Sequence, residues 1–150
     1  MDENLNRDIE NFEDLLGFYT SRKVLKPLIP PEHVYFSITN RCNLRCRMCE
    51  VSKNPSSAED ELSKDKIKNI IVQIKDMGIK HIIFSGGEPT LRDDLIELVE
   101  FSVSNGIKMT DIITNGTLLS DDIIEKFIKV GLNHITISLD GLGQIGRAHV

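Results

Sequence analysis

The sequence predicts an α/β protein in which a parallel sheet of about four strands alternates with three helices, preceded by an N-terminal helix. Short apolar segments alternate with amphipathic helical segments along residues 33–141. Glycines suited to ending helices recur at nearly regular intervals, at Gly78, Gly106 and Gly131. Strands that alternate with helices in this way are typical of βα units with right-handed crossovers and a parallel sheet.

Four apolar segments are predicted as strands: 34–38, 81–85, about 108–114, and 134–139. Because they are nearly continuous apolar runs, we expect both faces of the sheet to be covered. Ligands of such sheets bind beyond the carboxyl ends of the strands. The segments that follow the strands carry, in order, three cysteines, Gly86-Gly87-Glu88-Pro89, Asn115-Gly116, and Ser138 with Asp140-Gly141. We therefore expect these residues to meet at one rim.

Each of the three helices between the strands is expected to have an apolar face, and two of them a capped start. A surface loop over 50–62 leads to the first helix, which Ser63 caps and Gly78 ends. The second helix runs from about Asp93 to Asn105, and Ser120 caps the third. The residues expected to face inward are Ile67, Ile70, Ile71, Ile74 and Met77 in the first helix, Leu95, Leu98, Val99 and Ser102 in the second, and Ile123, Ile124, Phe127 and Ile128 in the third.

The N-terminal segment 1–32 is expected to be a helix followed by a proline-rich linker. Apolar residues at helical spacing predict an amphipathic helix over residues 2–19 that ends between Gly17 and Thr20. Its apolar face consists of Leu5, Ile9, Phe12, Leu16 and Tyr19. Packing of this face within its own domain is favoured over docking onto a partner. Three prolines predict an extended linker over 21–32.

Composition is that of an ordinary soluble globular protein, with 150 residues, 40% hydrophobic and 27% charged residues, and a formal net charge of −5. The absence of a basic block and of Trp argues against a nucleic-acid partner. No segment approaches the roughly 18 apolar residues of a membrane span. The N-terminus has no basic segment and no apolar run, so no signal peptide is predicted. With clustered cysteines and no export signal, we expect a cytoplasmic protein.

All cysteines of the chain are Cys42, Cys46 and Cys49. A disulfide framework cannot use an odd number of cysteines, and thiolates this close repel one another unless a positive centre is held between them. A spacing of three residues and then two lets one loop turn three sulfurs toward one point, as an iron–sulfur cluster requires. Cubane clusters normally take four thiolates, so one iron would stay open to a non-protein ligand.

Zinc is the main alternative metal, since His33 would complete a Cys₃His set. Structural zinc sites usually have cysteine pairs separated by a longer gap, so the iron–sulfur interpretation is favoured over zinc and over three buried structural thiols. The remaining histidines have no spacing typical of ligands and are expected to be peripheral; they are His81, His134 and His149. The arginines of the cysteine loop, Arg41, Arg45 and Arg47, suit either docking of an acidic electron donor or plain solvation.

Cys-x₃-Cys-x₂-Cys after the first strand, followed by Gly-Gly-Glu-Pro after the second, resembles the radical S-adenosylmethionine (radical SAM) enzymes over about residues 33–141. The resemblance implies a partial TIM-like (βα)6 barrel, of which this chain would contain the N-terminal portion. It also implies a 4Fe–4S cluster held by Cys42, Cys46 and Cys49, with S-adenosyl-L-methionine (SAM) bound to the open iron through its amino and carboxylate groups.

The activity that this resemblance implies is reductive cleavage of SAM to a 5′-deoxyadenosyl radical, which abstracts hydrogen from a substrate. The substrate would be a peptide or a small molecule such as a cofactor precursor, in the branch that matures peptides and builds cofactors. A reducing partner such as flavodoxin or ferredoxin would supply the electron. The alternative is a non-catalytic iron–sulfur or zinc-binding module.

The resemblance also assigns roles to the glycine motif. Gly86 and Gly87 would let the end of the second strand approach the SAM amino group, where a Cβ would intervene. Glu88 would accept a hydrogen bond there or order the turn. A plain tight turn is the alternative for the two glycines.

Three more positions match the family, and a fourth, Met48, departs from its usual residue type. Asn115 resembles a position near the SAM ribose or carboxylate, although Asn-Gly is also an ordinary turn pair. Ser138 and Asp140 resemble SAM-contacting positions at the end of the fourth strand. Met48 stands where many members carry an aromatic residue that borders the adenine, and methionine can pack there as well.

The C-terminal segment 142–150 is expected to be non-native sequence. Residues 145–150 are what ATC GGA AGA GCA CAC GTC encodes, a common sequencing-adapter read; a divergent natural tail is the alternative. The predicted divisions are thus 1–32, an incomplete core at 33–141, and this tail. A fragment that ends here would expose the fourth strand as an unpaired edge, so we expect it to be poorly soluble and inactive by itself.

Overall fold

The computed structural model describes residues 3–24, 29–54 and 56–139. The chain divides into two compact units, Met1–Pro31 and Glu32–Val150. Asp140 and the segment 142–150, which were assigned from the sequence, lie outside the described residues. Within the described ranges, none of the helices combines the length and apolar character that crossing a membrane needs.

The first unit contains helix α1, Glu3–Val24, which is longer than the sequence predicted. Gly17 lies inside the helix, so the expected end between Gly17 and Thr20 is wrong. A Cβ on Gly17 would lie 2.4 Å from the Cγ2 atom of Ile29, so close packing rather than helix termination accounts for this glycine. Residues 21–24 of the expected linker are helical, and residues 25–28 lie outside the described residues.

The second unit is built on one parallel sheet with the strand order β1-β2-β3-β4. The strands are β1 (Val34–Thr39), β2 (His81–Gly86), β3 (Met109–Thr114) and β4 (His134–Ile137). This confirms the predicted α/β class and the parallel pairing. Because the spatial order follows the chain order, every crossover steps in the same direction, as in a (βα) barrel and unlike a doubly wound sheet.

The helices of this unit are α2 (Glu50–Lys53), α3 (Lys64–Asp76), α4 (Leu95–Ser104) and α5 (Asp121–Lys129). The segment 50–62, expected to be a plain loop, contains α2 and a 3-10 turn at Ala58–Asp60. The predicted caps of α3 and α5 are confirmed, since the side chains of Ser63 and Ser120 each accept a hydrogen bond from a backbone N–H in the first turn. Gly78, Gly106 and Gly131 follow the helices with positive φ angles, which confirms the predicted stops.

The core lies between the sheet and the helices α3, α4 and α5. Most residues that periodicity placed inward are buried or partly buried there, including all four of α4. Three are not. Met77 is exposed because it caps the C-terminus of α3 instead of continuing its apolar face. Ile128 is 70% exposed, because in the short helix α5 only Phe127 is buried and the next residue turns about 100° away from it. Ile124 is also on the exposed side of α5.

The two faces of the sheet differ in polarity. One in-register row contacts the helices and is apolar: Phe36, Phe84, Ile112 and Ile135. The adjacent row projects from the opposite face: Tyr35, Ile83, Asp111 and His134. Tyr35 and Ser37 are exposed on this open face in the part of the chain that the structure describes. The expectation that both faces are covered is therefore wrong for these residues, since polar groups occupy every second position of β1.

Candidate functional site

A cavity of about 220 Å³ opens at the carboxyl ends of the four strands. It is lined by Cys42, Leu44, Cys46 and Cys49 after β1, by Ser85, Gly86 and Gly87 at the end of β2, by Ile113, Thr114 and Asn115 at the end of β3, and by Ser138 after β4. The structure thus brings the predicted site residues together at one rim, with two exceptions. Glu88 is fully buried behind the cavity wall, and Met48 is 64% exposed and not part of the lining.

The cysteine loop, residues 40–49, is held by local hydrogen bonds. The N–H of Cys49 donates to the carbonyl of Cys46 at 3.0 Å, which closes the turn between these two cysteines. The N–H of Leu44 donates to Sγ of Cys42 at 3.4 Å. Cys46 is buried and the other two cysteines are half-buried, and all three are thiols rather than disulfides. Three thiols that line one cavity, with an amide donor on the sulfur of Cys42, match the donor set of a cluster.

A site for a single metal ion has a different geometry. Among the residues that the structure describes, no group of three or more His, Cys, Asp or Glu side chains is arranged to hold one ion. Each thiolate of a cubane cluster binds a different iron, so its ligands must share a cavity rather than one coordination point. His33, the fourth ligand of the zinc alternative, packs edge-on against Tyr35 with 5.3 Å between the ring centroids and does not line the cavity.

The glycines at the end of β2 are required by the start of the cysteine loop. A Cβ on Gly86 would lie 2.2 Å from the carbonyl oxygen of Thr39, and one on Gly87 would lie 2.2 Å from that of Arg41. The Gly87 N–H donates to the Thr39 carbonyl at 2.8 Å, and the Glu88 N–H donates to the Arg41 carbonyl at 2.7 Å. Because the two glycines lack side chains, the backbone at the end of β2 can lie directly against the backbone at the start of the cysteine loop. Backbone atoms of both glycines therefore line the cavity.

Glu88 orders the turn, which was the second of its two predicted roles. Its carboxylate accepts hydrogen bonds from the N–H and hydroxyl of Thr90, at 3.1 and 2.5 Å. It also accepts from the Thr114 hydroxyl and from the Asn115 N–H, both at 2.7 Å. Through these bonds one buried side chain joins the loops that follow β2 and β3.

A second buried network, which the sequence did not reveal, fixes the cysteine loop from the other side. Glu61 pairs with Arg41 (2.8 Å) and with Arg92 (3.1 Å), and it also accepts from the Thr39 hydroxyl. Glu61 and Arg92 have side chains only 8% and 6% exposed, and Arg92 pairs further with Asp94 at 2.8 Å. Acidic and basic residues far apart in the sequence carry no signal of such pairing.

Within this network, the pKa values of Glu61 and Arg41 are shifted in the directions that favour their charged forms. Burial disfavours the Glu61 carboxylate, but hydrogen bonds from Arg41 and Thr39 outweigh that effect and hold the pKa of Glu61 below its ordinary value. The hydrogen bond with Glu61 in turn raises the pKa of Arg41. Arg41 is therefore engaged within the protein, whereas Arg45 and Arg47 are exposed.

Asn115 and Ser138, two predicted SAM contacts, have structural partners. The Asn115 side chain exchanges hydrogen bonds with Thr117 and Asn43, and the latter lies in the cysteine loop. The Ser138 N–H continues the pairing of β3 with β4 by donating to the Thr114 carbonyl at 2.9 Å.

Two histidines that were expected to be peripheral meet at a buried carboxylate. The Nε2 atom of His81 lies 2.7 Å from Oδ2 of Asp111, and the Nδ1 atom of His134 lies 3.1 Å from Oδ1. The three residues come from neighbouring strands and lie on the open face of the sheet. Only the strand register brings them together, so spacing along the sequence could not reveal the cluster. His149 lies outside the described residues.

Curated relatives of this chain include several enzymes. Fe-coproporphyrin III synthase of Methanosarcina barkeri (strain Fusaro / DSM 804) is 39% identical, over 74% of this chain and 28% of the relative. PqqA peptide cyclase of Rhizobium meliloti (strain 1021) is 33% identical, over 80% and 32%. The probable GTP 3′,8-cyclase of Methanothermobacter marburgensis is 40% identical, over 71% and 34%. The chain spans about a third of the length of these curated relatives.

Solved structures with the same fold include BtrN in complex with AdoMet and 2-DOIA, with a TM-score of 0.60 and 20% identity over 71% of this chain and 44% of that one. Native anSMEcpe with bound AdoMet has a TM-score of 0.58 and 21% identity over 75% and 33%. These similarities confirm the expected barrel-type fold. Residues 36–149 match the family model of the Radical SAM superfamily. The chain therefore belongs to the radical SAM superfamily.

Proposed function

We propose that this chain is the cluster- and SAM-binding part of a radical SAM enzyme. The observation that carries the proposal is that three thiols and the backbone of two glycines line one cavity at the carboxyl ends of parallel strands. This is the edge at which α/β proteins bind their ligands. The named enzymatic activities of the curated relatives support a catalytic role.

Cys42, Cys46 and Cys49 would each bind one iron of a 4Fe–4S cluster and leave the fourth iron to SAM. When bound, the cluster and SAM supply a one-electron cleavage that yields a 5′-deoxyadenosyl radical able to abstract hydrogen from a substrate. The chain's own residues position these groups. Gly86 and Gly87 present backbone atoms to the cavity, and the buried Glu88 carboxylate joins the loops that follow β2 and β3.

The substrate would occupy the open face of the sheet, next to the cavity. Ser85 and Ile113 belong to both the face and the cavity lining, so the two are continuous. Farther along the same face, the His81–Asp111–His134 cluster offers fixed hydrogen-bonding groups. Such a mixed polar wall suits a peptide or a small polar molecule better than a lipid, in line with relatives named for a peptide and a nucleotide.

The reducing partner would be an acidic electron carrier of the flavodoxin or ferredoxin type. The exposed Arg45 and Arg47 flank the buried Cys46, so they present positive charge next to the thiols. Attraction between opposite charges accelerates encounter more than it strengthens binding. We propose that this activity is cytoplasmic, because reduced thiols and such a donor both need a reducing compartment.

The test is anaerobic reconstitution of the full-length protein with iron and sulfide, followed by reduction and electron paramagnetic resonance with and without SAM. We expect a cluster signal that SAM perturbs. Replacement of any of the three cysteines by alanine should remove most of the bound iron, whereas the control Ser104→Ala, at an exposed position of α4, should not. A cluster signal indifferent to SAM would indicate a structural or electron-transfer role. Bound zinc in place of iron would show that the proposal is wrong.

A further inference from the structure

We infer that Asn43, Asn115 and Thr117 form a hydrogen-bonded ring that positions the cysteine loop, and with it the sulfur of Cys42, against the rim of the cavity. The inference rests on the proposed function, because it assigns positioning residues to the proposed cluster site. It gives Asn115 a role different from the direct SAM contact that the resemblance implies.

The ring consists of three side-chain hydrogen bonds that close on themselves. Nδ2 of Asn43 donates to Oγ1 of Thr117 at 2.8 Å. That hydroxyl donates to Oδ1 of Asn115 at 2.7 Å, and Nδ2 of Asn115 donates to Oδ1 of Asn43 at 2.8 Å. Every member both donates and accepts, so the bonds polarise one another in the same sense. The ring joins residues more than 70 positions apart in the sequence.

One side of the ring is fixed to the core, and the other side is part of the cysteine loop. The Asn115 N–H donates to the buried Glu88 carboxylate at 2.7 Å, and the Gly116 N–H donates to Oγ1 of Thr114 at 3.0 Å. Asn43, by contrast, is an exposed residue of the loop. The segment after β3 is therefore fixed to the core. Its hydrogen bonds with Asn43 hold the cysteine loop in place relative to that segment.

The position of Asn43 affects the sulfur of Cys42. Asn43 stands between Cys42 and Leu44, whose N–H donates to Sγ of Cys42 at 3.4 Å. A donor on a ligand sulfur stabilises the reduced, more negative state of a cluster, so such bonds help to set its potential. Fixing Asn43 thus fixes the N–H···S bond. Releasing Asn43 should lower the potential and loosen the site for SAM.

Removing the Thr117 hydroxyl is the most specific way to break the ring, because this group takes part in two of its three hydrogen bonds. Thr117→Val removes the hydroxyl at nearly constant volume, and Thr117→Ser keeps it. In the reconstituted full-length protein we expect Thr117→Val to lower the midpoint potential of the cluster and to weaken SAM binding by about tenfold, as outer-shell changes at metal sites often do. Thr117→Ser should restore both values, and Asn69→Ala, on the exposed side of α3, should leave them unchanged.

A double-mutant cycle separates a ring from independent contacts. If the ring acts as a unit, Asn43→Ala combined with Thr117→Val should have nearly the same effect as either change alone. Additive effects would overturn the inference. Equal impairment by Thr117→Val and Thr117→Ser, or no effect of Thr117→Val, would overturn it as well.

Hydrogen exchange tests the ring without the cofactors. The Leu44 amide should exchange faster in Thr117→Val than in the wild type, with Thr117→Ser close to the wild type. A wild-type cluster signal that ignores SAM would contradict the proposed function, and the exchange result would still decide whether the ring positions the loop. Unchanged exchange of the Leu44 amide in Thr117→Val would mean that the ring does not hold this segment.

Discussion

Gly86 is under two separate constraints. Its φ of 142° lies in the region that residues with a Cβ rarely adopt, and a Cβ there would lie 2.2 Å from the Thr39 carbonyl oxygen. We expect Gly86→Ala to lower the free energy of unfolding by at least about 2 kcal/mol, because backbone strain and overpacking add. Chemical denaturation monitored by circular dichroism measures this loss.

Gly106→Ala is the matched control for that change. Gly106 has a positive φ of 87°, but no atom lies within 4 Å of the position that its Cβ would take. Gly106→Ala should therefore introduce backbone strain without a steric clash and lower the free energy of unfolding by about 1 kcal/mol. Equal losses in the two variants would show that the contact with the cysteine loop does not constrain Gly86.

Glu88 is surrounded by hydrogen-bond donors, so its carboxylate cannot be replaced by an amide without conflict. In Glu88→Gln the amide oxygen can serve the donors at Oε1, but the amide nitrogen then faces the Asn115 N–H. One buried donor without an acceptor should lower the free energy of unfolding by about 1–3 kcal/mol. Glu100→Gln, on the exposed side of α4, should change it by less than about 0.5 kcal/mol.

The Glu88 variants also distinguish a structural role from a SAM contact. Because Glu88 is fully buried and does not line the cavity, Glu88→Gln should keep the SAM-dependent change of the cluster signal at temperatures where the protein is folded. Loss of that response in a protein with normal iron content and normal circular dichroism would indicate direct contact with SAM.

At the scale of elements, Glu61 holds the segment before α3 against the cysteine loop. Glu61→Gln leaves Arg41 and Arg92 without a carboxylate between them, although Asp94 still pairs with Arg92. We expect a loss of about 2–3 kcal/mol in the free energy of unfolding at pH 7. Glu59→Gln, an exposed change in the same segment, should have almost no effect.

This contribution should depend on pH in a defined direction. The pKa of Glu61 is lower in the folded protein than the ordinary value of about 4.3, so its stabilising contribution is complete well above that value. It is lost as the pH falls through the lowered folded-state pKa. Denaturation of wild type and Glu61→Gln over pH 3–7 should therefore show a difference that shrinks only at the acid end. If the difference in the free energy of unfolding stayed constant over this pH range, the charge of Glu61 would not be the source of the stabilisation.

The elements themselves were largely predictable because their signals are local. The caps Ser63 and Ser120 and the stop glycines act within one helical turn, so the sequence alone located α3, α4 and α5 to within a few residues. The end of α1 was wrong because Gly17 has the same appearance in a sequence whether it terminates a helix or packs inside one.

The candidate site was predictable in outline for the same reason. The cysteines and glycines directly follow predicted strands, and every parallel strand ends at the same edge of the sheet. Their positions therefore predicted that they meet at one rim. The partners behind the rim were not predictable. Glu61 with Arg92, and Asn43 with Thr117, meet only through the fold, and no periodicity in the sequence links them.

At the scale of the whole molecule, the two faces of the sheet differ in polarity, and each has a different role. The core row that includes Phe84 and Ile112 packs against the helices, while the open face carries Asp111 with its two histidines. A single layer of helices therefore provides the main apolar burial of the described unit. The polar face is left for the cavity and the proposed substrate.

Adjacent residues of α5 test this one-sided arrangement. Phe127 is buried in the core, whereas Ile128 is 70% exposed. We expect Phe127→Ala to lower the free energy of unfolding by about 3–5 kcal/mol, because a large cavity remains in the core. Ile128→Ala should change it by no more than about 0.5 kcal/mol. Denaturant titration of both variants measures the contrast, and a similar loss for Ile128→Ala would contradict the exposure of that face and return Ile128 to the inward side that periodicity assigned to it.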